Sequence, residues 1–336
     1  MAANPFARAA VIAASLAMNA AASAGVPSLI AGLHAGDELR YAYTLTTEEV
    51  TSITGKTGPE SLPTRVVSNQ TVFLTCKVTA ETTASDIMEV TFDNVAVSMQ
   101  AGDVSVGVDA GSPTIPDEKA NPGSHDLYAW FHPLVSAKLT LNIAPGSGEI
   151  TSITGGEDLL KGVGGPHLAR YVDPDLFRAN FGCIFQLKSN SQMPPPGQKW
   201  YTKTTVYARG VKAPVWETRW VEGEEGGIAD IRSLVKASAK PEDSTKVSVF
   251  FRSVDSSGDR WWDTTKGRLT KAVISQTIQT RFQIGEPGAG GVGVLQDSDL
   301  SCRSALEIIE TPPAKPAGGA AQRPPPPPAP EPKKMP

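Results

Sequence analysis

The chain has 336 residues, of which 40% are apolar and 20% charged, with 31 Lys+Arg against 35 Asp+Glu and a net charge of −4. That length can bury a substantial core without metals or disulfide staples, and the composition is that of a globular protein. An acidic chain with no basic stripe has no electrostatic footprint for nucleic acid, which excludes that class of partner.

Residues 1–24 read as an export signal. Arg8 supplies the positive start, Ala9–Met18 the apolar stretch, and Ala22-Ser23-Ala24 a small-residue cleavage site. The apolar run is too short to span a bilayer, and no later stretch approaches that length. The expectation is an exported protein, periplasmic or extracellular, with no membrane span. Cys76, Cys183 and Cys302 are far apart and show no metal or redox spacing. One disulfide plus a free thiol, or three buried thiols, both remain open.

After the apolar lead-in Val26–Leu33, the turn Gly36-Asp37 opens a strand over Leu39–Val50. Thr71–Thr79 and Asp86–Met99 alternate as two more strands, with Val72, Leu74, Cys76 and Val78 on the inner parity. Ala101–Ser124 is rich in Gly, Asp, Ser and Pro and reads as a long surface loop. Leu127–Leu134 follows, then strands over Lys138–Ala144 and Glu149–Ile153.

The middle of the chain is helical. Asp158–Lys161 starts a short helix, and Asp173-Pro174-Asp175 opens another with Asp as N-cap and Pro in the first turn. Leu176, Phe177, Phe181, Ile184, Phe185 and Leu187 recur at helical intervals and should be buried.

A second β region begins at Lys199, continues through Val215–Val221 and Ile228–Val235, and ends in the stretch Lys246–Ile284. That stretch predicts a strand, a turn at Ser256–Gly258, a short aromatic strand, a turn at Thr264–Gly267 and a long strand. On the long strand Ala272, Ile274, Ile278 and Phe282 share one parity. Thr311–Pro336 has 11 prolines in 26 residues and should be a disordered or polyproline tail.

The two β regions echo each other. Gly36-Asp37-Glu38-Leu39-Arg40-Tyr41 matches Gly197-Gln198-Lys199-Trp200-Tyr201, and each region closes with a strand turning over a glycine, Gly148 and Gly267. The division expected is a signal peptide at 1–24, a first β unit at 25–155, a helical connector at 156–196, a second β unit at 197–310, and the tail at 311–336. The fold class is mainly β: two related, strongly curved antiparallel sheets, half-barrel-like, with a connecting α-helix and a disordered Pro-rich tail.

The export signal, these glycine openings, the helical section ending at Met193-Pro194-Pro195-Pro196-Gly197 and the closing Trp262-Asp263 … Gly267-Arg268-Leu269 together resemble a family of exported proteins. That family is a domain of unknown function best represented in planctomycete-type bacteria. The resemblance covers roughly Leu33–Ile284 and implies a mostly β architecture in two related halves, with no assigned activity, cofactor or catalytic residue. Leu39 stands where an aromatic is more usual, and the first closing turn lacks the Asp.

Chemistry-bearing motifs are sparse. His125 and His132 flank Leu127–Phe131 with Asp126 alongside, but their spacing is not a metal-ligand spacing, and a structural role is the better reading. Asp255-Ser256-Ser257-Gly258-Asp259 has the oxygen density of a calcium loop without its later acidic ligand, so a plain turn is preferred. Gly288–Gly293 lacks the strand and helix of a phosphate loop. No catalytic residue, cofactor or metal site is assigned, and the chain is expected not to be an enzyme.

Five of the six tryptophans lie in the second half. Trp216 and Trp220 share one strand parity, while Trp261 and Trp262 must face opposite ways. Core and cross-strand packing explains them most simply. Trp200, Trp216, Trp220 and Trp262 are nevertheless the candidate residues for lining a concavity. The leading expectation is an exported binding protein for a lipid or other hydrophobic ligand. The alternatives are an envelope protein-interaction module using the sheet exterior and Pro-rich tail, and, with least support, a hydrolase or metalloenzyme.

Overall fold

A computed structural model describes residues 28–54, 64–188, 192–208, 211–237, 248–284 and 294–309. The expected export signal 1–24, the Gly288–Gly293 run and the expected tail 311–336 lie outside the described residues.

Twelve antiparallel strands form one sheet. They are β1 (Glu38–Thr54), β2 (Thr64–Glu81), β3 (Asp86–Ala101), β4 (Val104–Asp109), β5 (Lys138–Ile143) and β6 (Ile150–Thr154), then β7 (Lys199–Ala208), β8 (Val211–Glu225), β9 (Ile228–Ala237), β10 (Ser248–Asp263), β11 (Arg268–Ile284) and β12 (Val294–Ile308). Their order is β6-β5-β3-β2-β1-β12-β11-β10-β9-β8-β7, with β4 beside β3. The mainly β architecture is as expected, but the two expected sheets are one. The last strand returns to the first, β12 pairing with β1 from Tyr41↔Ile308 to Thr54↔Leu295.

Alternation fixes the inner face. Tyr41, Tyr43 and Leu45 of β1, Val72, Leu74, Cys76 and Val78 of β2, and Ala272 and Ile278 of β11 are all buried. Against the first half of the sheet pack α1 (Pro122–Phe131), α2 (Glu157–Lys161), α3 (Gly165–Val172) and α4 (Pro174–Phe181), with single 3-10 turns after α1 and α4. The connector holds both expected helix starts, Asp158–Lys161 in α2 and Asp173-Pro174 at α4, with α3 between them. All six residues of the expected helical stripe are buried, Phe177, Phe181, Ile184 and Phe185 completely. Tyr43 meets Phe181 edge-on at 5.0 Å, and Tyr171 meets Phe92 at 6.3 Å. The same core takes in Val221, Ile231, Trp262 and Leu269 from the second β region.

Two sequence expectations change. The stretch 101–124 is not all loop: β4 forms on the alternating valines Val104, Val106 and Val108, and α1 begins at Pro122. The expected turn at Ser256–Gly258 does not exist, because β10 runs unbroken through it, Ser256 facing Gln276 and Gly258 facing Ile274 on β11. Gly258 is there for space. A Cβ at that position would lie 2.8 Å from Ser233 Oγ and 3.4 Å from an Arg260 guanidinium nitrogen. The second turn is real, closing at Gly267 with φ +58° and packed against Gly32.

Candidate binding site

The ends of the sheet, β6 and β7, are not paired with each other among the described residues. Helix α4 lies between them. Its N-cap Asp173 accepts hydrogen bonds from the Asp175 and Leu176 amides at 3.1 and 3.2 Å. The Asp173 carboxylate also takes Lys212 Nζ of β8 at 2.7 Å on each oxygen. On the other side, Arg178 Nε donates to the Ile150 carbonyl of β6 at 3.0 Å. The helix thus ties the β6 edge to β8, the strand paired with the β7 edge.

Beneath this seam is a cavity of about 410 Å³. Its walls are Gly148–Ile150 beside β6, Asp175, Arg178 and Ala179 of α4, Cys183 and Gln186 just after it, Thr202–Thr205 along the β7 edge, and Arg219 and Arg260 at the floor. A second cavity of about 80 Å³ lies deeper and shares Ala179, Thr204, Thr205 and Arg260 with the first. It is touched by Thr204, Glu217, Val235, Arg260, Gln276, Cys302 and Tyr43, one from each of seven neighbouring strands. Seven strands laid flat would span about 29 Å at roughly 4.8 Å per strand. They can line one small cavity only because the sheet curls around it.

The floor is a buried ionic cluster. Glu217 Oε2 accepts from Arg219 Nε and Nη2 at 2.8 and 2.5 Å, and Oε1 accepts from Arg260 Nη2 at 2.8 Å. Arg260 Nη1 donates to Ser233 Oγ at 2.7 Å, and Arg219 Nη1 to the Leu187 carbonyl at 3.0 Å. All four side chains belong to buried residues. Burial opposes ionisation of Glu217, but the guanidiniums of Arg219 and Arg260 outweigh it and hold the carboxyl well below the usual carboxylate range. Arg260 Nε and Gln186 Oε1 are buried without a hydrogen-bond partner.

The candidate tryptophans divide between the two faces of the sheet. Trp216 is 64% exposed and Trp220 half-buried on the outer face, where their β7 partners are Lys203 and Lys199. Trp262 is fully buried and donates Nε1 to the Ser28 carbonyl at 2.8 Å. Trp200 donates Nε1 to the Leu187 carbonyl at 3.1 Å. None of the four lines either cavity. Glu217, Arg219 and Arg260 were not among the sequence candidates. Their signal is parity, since Ala213, Val215 and Val221 share the inner register of β8 with Glu217 and Arg219.

His132 Nδ1 lies 2.8 Å from the Ala110 carbonyl and its ring stacks on Tyr128, while His125 stands 4.0 Å from Asp126. Among the described residues, no group of three or more His, Cys, Asp or Glu side chains is placed to hold a metal ion. Cys76, Cys183 and Cys302 are free thiols.

No helix among the described residues is long and apolar enough to cross a membrane. The outer face of the sheet carries ion pairs, among them Arg281–Asp297 at 2.6 Å, Arg65–Glu48 at 2.7 Å and Lys138–Glu89 at 2.9 Å. A lipid-facing barrel wall is apolar there.

The chain matches no protein-family model and no curated protein sequence. Among solved structures it is similar to lipovitellin, described for its lipid–protein interactions, at 12% identity and a TM-score of 0.44, over 84% of this chain. The match spans only 26% of the lipovitellin chain. It is also similar to the outer membrane protein OprG from Pseudomonas aeruginosa, at 9% identity and TM-score 0.24, over 84% of this chain and 100% of that one. An outer membrane channel from Pseudomonas putida F1 matches at 7% identity and TM-score 0.17, over 83% and 98%.

Proposed function

We propose that this chain is an exported, non-enzymatic binding protein that takes an amphipathic ligand into the seam between β6 and β7, under α4. The observation that carries this reading is the cavity of about 410 Å³, within the usual range for small-molecule sites, which leads from the β7 edge to the buried arginines. The deeper cavity supplies apolar wall from Leu45, Leu176, Val206, Val235 and Ile274. The ionisable groups at the floor are bonded to one another, an arrangement suited to holding a ligand rather than to activating a nucleophile. The composition of residues 1–24 supports export to the periplasm or beyond.

The test is native mass spectrometry of the purified chain, repeated after denaturation. A bound species of lipid or metabolite size that leaves on unfolding supports the reading. A ligand-free protein that also binds no amphipath on titration would exclude it.

One observation favours a second reading, an envelope protein-interaction module. Tyr201 (67% exposed), Trp216 (64%) and Leu234 (38%) share the outer face of the adjoining strands β7, β8 and β9. Under that reading Trp216→Ala abolishes capture of an envelope partner while leaving ligand occupancy of the seam unchanged.

A further inference from the structure

We infer that the floor of the seam cavity is an anion site, which takes the carboxylate of an amphipathic monoanion on the Nε of Arg260. This rests on the binding reading above and adds the chemical class of the ligand.

The charge balance at the floor calls for an anion. Arg219 and Arg260 bring two positive charges to the floor and Glu217 one negative charge, so the buried cluster carries a surplus of one. A buried charge without a counter-ion is unfavourable, and a ligand anion would supply one. Higher on the wall, Arg178 is 3.5 Å from Asp175, and Lys203 and Glu149 are both exposed. They leave the surplus at the floor unchanged, and Arg170, which lines the deeper cavity, adds a further positive charge beside it.

Donor geometry points the same way. Both Glu217 oxygens are taken by the arginines, and Arg219 is held by Glu217 and the Leu187 carbonyl. Arg260 uses Nη1 on Ser233 and Nη2 on Glu217, lies against the Cys183 thiol, and leaves Nε without a hydrogen-bond partner, although the residue is only 3% exposed. A planar guanidinium with a free Nε presents a fixed donor suited to carboxylate. Gln186 Oε1, on the same wall, is a second buried atom without a partner. Its amide can accept from a ligand O–H or N–H or, reversed, donate to the carboxylate.

A carboxylate on Arg260 lies beside Glu217, where a monoanion meets less repulsion than a dianion would. Arg260 also lines the deeper cavity, where Leu176, Val206, Val235 and Ile274 offer apolar wall to the rest of the ligand.

The experiment is isothermal titration of the full chain with sodium decanoate, 1-decanol and inorganic phosphate, in parallel with Arg260→Gln and Glu217→Gln. Near-UV circular dichroism reports whether each variant keeps its packing. The expected result is decanoate binding one to one and at least tenfold more tightly than decanol. R260Q should weaken decanoate at least tenfold and decanol far less, so that the preference for decanoate is lost. E217Q, which raises the surplus to two, should tighten decanoate severalfold, and it decides the matter if R260Q does not fold. Equal binding of decanoate and decanol, or no gain from E217Q, overturns the anion site and leaves the binding reading standing. Phosphate binding more tightly than decanoate overturns the monocarboxylate assignment. No binding of any of the three removes the binding reading and the anion site together.

Discussion

Arg260 of β10 and Glu217 of β8, 43 residues apart in sequence, are joined by a 2.8 Å hydrogen bond on the buried inner face of the sheet, with Arg219 on the other carboxylate oxygen. Removing the shared partner leaves two buried guanidiniums facing each other. Glu217→Ala is therefore expected to destabilise the fold by about 3–5 kcal/mol in urea unfolding, with E217Q costing less because it keeps a hydrogen-bonding group. The pH dependence has a definite sign. Glu217 titrates lower in the folded chain than in the unfolded one. Its stabilisation is fully present above the ordinary glutamate pKa of about 4.3 and is lost as pH falls below it. E217Q should accordingly show a flatter decline in stability below that pH than the parent chain. An identical acid limb in both proteins would contradict the cluster.

Asp173 has two roles at once, capping α4 and holding Lys212 of β8. Asp173→Ala should cost about 1 kcal/mol for the cap and about 0.2–1 kcal/mol more for the half-exposed ion pair. Asp173→Asn keeps a capping oxygen and should lose only the second part. Chemical denaturation of the three proteins separates the two contributions. Hydrogen exchange should show the amides of Asp175 and Leu176 opening first in D173A.

Much of the architecture was legible because alternation and capping are local. The inner parity of β2, the Asp173-Pro174 helix start and the Gly267 turn each rest on a few adjacent residues. What was not legible depends on residues far apart in sequence. Asp255–Asp259 is built from turn formers, yet β9 and β11 hold it extended on both sides, overriding propensity. In Trp216-Glu217-Thr218-Arg219-Trp220 the aromatics suggest themselves as the inner face. The opposite parity turns inward because Glu217 and Arg219 find Arg260 and the Leu187 carbonyl there, while Trp216 and Trp220 lie over lysines of β7. The floor's residues come from β8, β9, β10 and the segment after α4, so only the folded chain assembles them.

Gly258 tests that strand directly. Gly258→Ala puts a methyl 2.8 Å from Ser233 Oγ and 3.3 Å from Ile274 Cγ1, which must displace Ser233 from Arg260. A cost of about 1–3 kcal/mol is expected from overpacking. The urea unfolding midpoint of G258A measures this cost, and an unchanged midpoint would contradict the close approach of Ser233 and Ile274.

Burial, with a smaller contribution from the Asp93 charge, pushes the Cys76 thiol up to about 12. Only thiolate reacts with a disulfide reagent, so Cys76 should remain unlabelled in the native chain at pH 8. All three thiols should label once the chain is unfolded in urea, as expected if none is paired. Native labelling of Cys76, located by peptide mapping, would mean that the strand pair β1–β2 opens on the timescale of the reaction.

The tryptophans give an optical readout of which face is which. Trp216 is 64% exposed on the outer face, whereas Trp262 is completely enclosed and bonded to the Ser28 carbonyl. Acrylamide should quench a red-shifted component that disappears in Trp216→Phe, with stability unchanged to within about 0.5 kcal/mol, as for most surface substitutions. Trp262→Phe removes a blue-shifted, poorly quenched component. It should also cost about 1–3 kcal/mol, since a buried hydrogen bond and part of a packed ring are lost together. A decanoate titration followed on the parent chain and on Trp216→Phe, whose difference is the Trp216 signal, then locates the ligand. Binding in the seam leaves the Trp216 signal untouched, because that ring lies on the far side of the sheet from Arg260. Binding on the exposed patch of Tyr201, Trp216 and Leu234 would shield Trp216 from acrylamide and place the occupied surface on the outer face instead.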